Sequence, residues 1–291
     1  IKNLGYGPMH ENLLFSPRIS PPLIGLGLLE AIDENDILAR SDPDDLDSDG
    51  ISGKANKVWD YSTNQTRLGR FGWKAGTPSL TQQNSAALSG DIGISTHLFP
   101  KHAGDCTRNQ TACLNQKHGN IPLDAPNKNE FEAPQSMTDL LLFYIRNTAS
   151  PQSRMVNNPK RNEGKLLFTS AGCPLCHQPS YTTSTNALQK SHQNQTIWPY
   201  SDLLLHDMGP GLADNRPEYL ANGQEWRTTP LWGLGYTKEV NGHTFLLHDG
   251  RARNVMEAVL WHGGEAEMAK QNVLSLNATE REALLAFLNS L

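Results

Sequence analysis

"AGCPLCHQPS", residues 171–180, places Cys173 and Cys176 three positions apart with His177 directly after the second cysteine. The pattern C-x-x-C-H is the attachment motif for c-type haem. Two cysteines on one helical turn reach the two vinyl groups of a porphyrin and form thioethers. The next residue then turns its imidazole to the iron as the proximal ligand. Two other chemistries use paired cysteines. A thioredoxin-like dithiol needs a preceding strand and a βαβ pattern, and neither is evident. A structural zinc site needs four ligands, usually in two pairs. The remaining cysteines, Cys106 and Cys113, lie far upstream at a different spacing. Plain structural cysteines would leave His177 unexplained, so covalent haem is the reading that uses all three residues.

The rest of the chain sets bounds. It has 291 residues, a formal net charge of −5 and 37% hydrophobic residues. That length allows one large domain or two ordinary ones. No apolar run approaches the ~20 residues of a membrane span, and the longest, 21–32, is broken by glycines. Lys and Arg do not cluster as a nucleic-acid surface requires. Cys106 and Cys113 flank the polar segment TRNQTA and are expected to form a disulfide. Haem c is attached outside the cytoplasm, where thiols oxidise.

Two short segments recur. Residues 22–27, PLIGLG, match 230–235, PLWGLG, at five of six positions. Residues 137–147, MTDLLLFYIRN, resemble 279–289, TEREALLAFLN, and both read as helices. Asn277 is a candidate N-cap for the second, with Glu280 completing a capping box. The order of the pairs predicts two copies of one domain, divided in the polar stretch 150–161. The first pair is 230 − 22 = 208 residues apart, so Cys173 projects to 173 − 208 = −35, before Ile1. The expectation is a C-terminal part of a longer protein, whose first copy lacks its own cysteine motif in these residues.

A second iron ligand must come from His, Met or Tyr. The candidates are His192, His206, Met208, His243, His248, Met256, His262 and Met268. After a turn at 248–250, a helix is expected over 254–261, with Val255, Val259 and His262 on one face. His262 stands at its end, beside Gly263 and Gly264, where an imidazole can swing over a ring.

Asp45, Asp47, Asp49 and Gly50 read D-x-D-x-D-G, the way an EF-type loop wraps Ca²⁺. Ile51 would offer its carbonyl. Asn56 takes the place of the usual bidentate Glu, and Asp42, Asp44 or Asp60 could compensate.

The segments "LLHDMGPGLAD" (204–214), "EWRTTPLWGLG" (225–235), "FLLHDGRARNVMEAVLWHGGEA" (245–266), "SPRISPPLIGLGLLEAI" (16–32) and "LGRFGWKAGTPSL" (68–80), with one C-x-x-C-H, resemble the di-haem oxidoreductases, also named thiol oxidoreductases. More distantly they are similar to the bacterial di-haem cytochrome c peroxidases. The resemblance implies a mainly α fold of two tandem cytochrome c-like domains with one covalent haem each. Residues 1–150 would be a partial first copy, and 151–291 a complete second copy with its haem c. In the peroxidases the distal ligand follows the H-x-G turn by fourteen residues, and 248 + 14 = 262 puts His262 there, where Met is usual. His248 would be a turn residue near the haem edge. Arg227, Arg251 and Arg253 would contact propionates. The resemblance further implies calcium near the domain interface, a periplasmic location and a redox partner protein as electron donor. The expected function is peroxidase-like, with this haem passing electrons to a reactive haem in the missing N-terminal part. The alternatives are a simple electron carrier and a thiol–disulfide enzyme using the C-x-x-C pair.

Overall fold

Five of the described helices begin where a short polar side chain accepts a free backbone N–H group. Asp33, Ser79, Asn158, Asn254 and Asn277 all do so. The computed structural model describes residues 5, 7–120 and 131–291. In chain order the elements are α1 (Leu26–Glu30), α2 (Glu34–Leu38), β1 (Lys57–Asp60), β2 (Gln65–Leu68), α3 (Leu80–Ile92), α4 (Thr111–Leu114), α5 (Gln135–Asn147) and α6 (Pro159–Ser170). There follow β3 (Tyr181–Thr182), β4 (Thr196–Ile197), β5 (Leu205–Asp207), β6 (Glu225–Arg227), α7 (Thr237–Asn241), α8 (Val255–Trp261), α9 (Glu267–Ser275) and α10 (Ala278–Leu288). The strands pair consecutively as three antiparallel ribbons, β1–β2, β3–β4 and β5–β6. No helix among the described residues is long and apolar enough to cross a membrane.

The expected mainly α, cytochrome c-like fold is corrected. Helix accounts for 36% and strand for 10%, so the architecture is mixed. The 24 glycines and 18 prolines give the physical reason. Pro lacks an N–H donor and Gly favours turns, so most helices stop within a few turns and long irregular connections carry small ribbons.

The first core gathers Leu29, Ile32, Ile37, Leu68, Phe71, Leu80 and Ile145, together with Tyr181, Ile197, Leu203, Leu204 and Trp232 from later in the chain. The second lies under α6 and α10 and holds Phe168, Tyr200, Val273, Leu284, Phe287, Leu288 and Leu291. The capping box of Asn277 and Glu280 forms at the start of α10 as its sequence indicates.

The repeated PLxGLG segments pack on each other reciprocally. A Cβ on Gly25 would meet Trp232 at 2.4 Å, and one on Gly233 would meet Ile24 at 2.4 Å. Both glycines have positive φ, 67° and 77°, so Gly is required twice over. Gly25 N donates to Thr148 O and Gly233 N to Leu291 O, at 2.8 and 2.7 Å. These partners are 291 − 148 = 143 residues apart, one more than the helix alignment by sequence (279 − 137 = 142). A third pair of matching turns lies between them. Bridges Phe71–Thr77 and Leu246–Ala252 close them, and Ser79 and Asn254 cap the helices that follow, an offset of 254 − 79 = 175. The offset therefore falls from 208 to 175 to 143. The first half carries 33 and then 32 extra residues, which hold the acidic loop with β1–β2, and the Cys106–Cys113 region.

Candidate haem site

Helix α6 delivers the cysteine motif. Asn158 caps it, Pro159 occupies its first turn, and Gly172 ends it at φ 87°, which a side chain would resist. The reversal leads into a short 3₁₀ turn, Cys173–Leu175, and His177 N donates to Cys173 O at 2.9 Å. Phe168 of α6 packs on Phe287 and Tyr200 with ring centroids 5.3 and 5.8 Å apart, anchoring the turn to α10.

The structure brings His177 and His262 together, with ring centroids 6.5 Å apart and ring planes tilted by 40°. His177 Nδ1 donates to Tyr200 O at 2.9 Å, and His262 Nδ1 to Ala258 O at 2.7 Å. Each ring is thereby held in the tautomer that leaves Nε2 as a free lone pair. Two metal–imidazole bonds of ~2 Å, plus roughly 1 Å from each nitrogen to its ring centre, span roughly 6 Å. The rings thus stand at the separation that one shared iron requires. Burial drives the His177 pKa down to about 4 and lowers that of His262. Both are therefore neutral, as ligands must be.

The cysteines are free and partly buried. Burial pushes the Cys173 thiol up to about 12 and raises that of Cys176. Thiols held protonated are poor nucleophiles, so the pair is ill suited to dithiol exchange. Buried sulfur beside a histidine pair suits thioether attachment, and the residues present fit the porphyrin.

A charged cluster behind Cys176 escaped the sequence reading. His206 Nε2 lies 2.8 Å from Asp202 Oδ2, and its Nδ1 is 2.7 Å from Glu265 Oε2 and 3.5 Å from Cys176 Sγ. Glu265 also accepts from Ser52 Oγ at 2.6 Å and Asp207 N at 3.0 Å, tying the acidic-loop segment to the β5 region. With both nitrogens engaged, His206 is removed from the distal-ligand candidates. Burial opposes its charge, yet bonds to Asp202, Cys176 and Glu265 hold its pKa well above the ordinary value. For Glu265, burial acts upward, but bonds from His206 and Ser52 bring it down to about 2.

The two shifts set a pH window. The stabilisation from Glu265 is complete above its unfolded value of 4.5 and is lost as pH falls toward 2. That from His206 is complete below its unfolded value of 6.5 and is lost as pH rises through its elevated folded value. Glu265→Gln should therefore cost about 2 kcal/mol near pH 6. It should also flatten the loss of melting temperature between pH 4.5 and 2, measured by calorimetry across pH. An unchanged acid limb would remove Glu265 from this role.

The other expected residues occupy different surroundings. His248 stacks on Trp226 with centroids 3.7 Å apart and meets the edge of Trp73. Lys74, fully buried, lies 4.4 Å over the other partner of that stack, Trp226, and bonds Asp214 at 2.9 Å. The guanidinium of Arg227 is buried and donates to the carbonyls of Gly72 and Thr228. Arg251 pairs with Asp249 at 2.7 Å, and exposed Arg253 with Glu257 at 2.8 Å.

In the acidic loop, carboxylate oxygens of Asp42, Asp45 and Asp47 lie within 4.8 Å of one another. Asp49 instead accepts from Ile51 N at 2.8 Å. Asn56 is buried elsewhere, donating to Lys74 O at 2.7 Å and accepting from Leu220 N at 3.0 Å. It does not complete the loop, and Asp42 joins the cluster in its stead. Cys106 and Cys113 are bonded, with Cα atoms 6.2 Å apart.

Among solved structures, hydrazine synthase from Kuenenia stuttgartiensis is similar over 98% of both chains, at 15% identity and a TM-score of 0.33. A likeness that distant carries no argument. No curated protein matches. The family described as "Di-haem oxidoreductase, putative peroxidase" matches residues 3–291. Because that match runs through the cysteine turn, the two imidazoles and nearly everything between and around them, the chain belongs to the di-haem oxidoreductase family.

Proposed function

We propose that residues 171–180 and 254–262 hold one haem c for electron transfer, within a periplasmic, peroxidase-like di-haem enzyme supplied by a redox partner protein. Cys173 and Cys176 would be its anchors, and His177 and His262 its axial ligands. The observation that carries this reading is the 6.5 Å separation of two neutral imidazoles, each locked through Nδ1. A haem held by these residues would supply a one-electron couple. The chain's own residues do the positioning. Tyr200 and Ala258 carbonyls set the tautomers. The His206–Asp202–Glu265 cluster fixes the backbone around Cys176.

The repeated turn supports a division of labour. His262 stands eight residues after its cap Asn254, and the same count from Ser79 reaches Ala87. Alanine offers iron no ligand, so the first half would supply no counterpart of His262 at this position. The buried, protonated thiols weigh against the dithiol alternative.

The test is covalent chemistry. After expression with a haem-maturation system, the chain should give a c-type pyridine haemochrome with one haem. Neither Cys173 nor Cys176 should react with an alkylating reagent under denaturing conditions. A colourless chain with both thiols reactive would end the proposal.

A further inference from the structure

Three ionisable side chains back the cysteine turn, nearly withdrawn from solvent. The side chains of His206, Asp202 and Glu265 are 2%, 3% and 12% exposed. Backbone bonds clamp the group to the turn. Asp202 N donates to Cys176 O at 3.0 Å, and Ser201 N to Gln178 O at 2.9 Å.

Hydrogen-bond geometry fixes the charges. His206 Nε2 lies 2.8 Å from Asp202 Oδ2, and its Nδ1 lies 2.7 Å from Glu265 Oε2. An ionised carboxylate only accepts, so both ring nitrogens carry hydrogen and the ring is an imidazolium. The remaining donors to the carboxylates are neutral. Ser52 N, Ser52 Oγ and Asp207 N reach Glu265, and Leu204 N reaches Asp202. The cluster thus holds two negative charges and one positive, with one negative in surplus. Two cations lie close by and stay outside it. Arg227 is near enough to Asp202 to feel its charge, but its N–H groups go to the Gly72 and Thr228 carbonyls. Lys54 is paired with Glu225 at 2.6 Å.

Cys176 Sγ stands 3.5 Å from His206 Nδ1. That sulfur is the atom that would bond the porphyrin, which would bring the cluster to the edge of the group. Ferric haem carries one positive charge more than ferrous haem, and a fixed negative charge in a site of low dielectric favours it.

We propose that Asp202, His206 and Glu265 set the reduction potential of the haem anchored at Cys176, their surplus negative charge holding it low. This rests on the haem reading above, and it assigns the potential to side chains that ligate no iron.

Spectroelectrochemical titration of the haem-loaded full chain near pH 7 tests the assignment. Glu265→Gln removes one negative charge at nearly constant shape. It should favour reduction about tenfold, a rise of about 59 mV for a one-electron couple. His206→Gln removes the positive charge and should move the potential the other way, downward. Loosened packing would not give that pair, since entry of water shifts both variants in one direction. Ser52→Ala takes a hydrogen bond from Glu265 and no charge, so its potential should stay with that of the parent. Where Glu265→Gln does not fold, Asp202→Asn removes an equal charge from the other side of the ring and should give the same rise. A rise of less than about threefold on removing a carboxylate, a rise in His206→Gln, or a Ser52→Ala shift as large as that of Glu265→Gln overturns the proposal. The pyridine haemochrome of each sample separates the two readings. A coloured chain with an unresponsive potential ends the role of the cluster alone, whereas a colourless chain ends the haem reading with it.

Discussion

His262→Ala in the haem-loaded chain should convert a low-spin, six-coordinate spectrum that ignores added ligands into one that takes up cyanide in the ferric state and CO in the ferrous state, one per haem. His262 is the imidazole paired with His177, and its Nδ1 is fixed by the Ala258 carbonyl at 2.7 Å. In the haem site proposed above, its removal would leave His177 as the one imidazole to hold the group. His206→Ala is the informative control. Both nitrogens of that ring are held by carboxylates, so its loss should leave the low-spin spectrum in place while lowering stability. An unchanged spectrum in His262→Ala would assign the sixth position to another residue, with Met208 the next to test.

Gly164→Val should cost the second core more than any exposed substitution. A Cβ at this position would stand 1.9 Å from Ala283 O and 2.9 Å from the Phe287 side chain. Backbone cannot rotate away as a side-chain end can, so α6 and α10 must separate. Overpacking of this kind costs about 3 kcal/mol or more, which lowers the melting temperature by roughly 6–12 °C in a chain of this size. Thermal unfolding measures it, and the anchoring of Cys173 should loosen with it. Gly90→Ala is the matched comparison. A Cβ there meets nothing within 4 Å, so it should stabilise α3 by up to ~1 kcal/mol through helix propensity. Equal effects at the two glycines would show that the crossing is not the constraint.

Legibility from sequence followed the range of the interactions. Short-range patterns read correctly. The Asn277–Glu280 capping box formed where its residues indicated, and the helix expected over 254–261 runs from Val255 to Trp261. His262 came from a fourteen-residue spacing that the family resemblance supplied. The expected helical fold did not hold, because the Gly- and Pro-rich connections that make up much of the chain end most helices within a few turns. Asn56 was placed in the acidic loop on its position in a pattern, whereas its amide bonds to Lys74 and Leu220 from a buried site.

By itself, then, the sequence pointed to three residues for the proposed attachment chemistry, and determined where the last helix starts and that two segments repeat. These are matters of neighbours within a turn or two, where capping and side-chain spacing act directly. Only the tertiary structure decided that the repeats clasp each other through Gly25 and Gly233, and that His177 and His262 stand at a ligand-sharing distance. It alone joined Ser52 to Glu265 across 213 positions behind Cys176. A buried polar cluster is drawn together by the need of each desolvated group for a partner, and that need leaves no periodic mark along the chain.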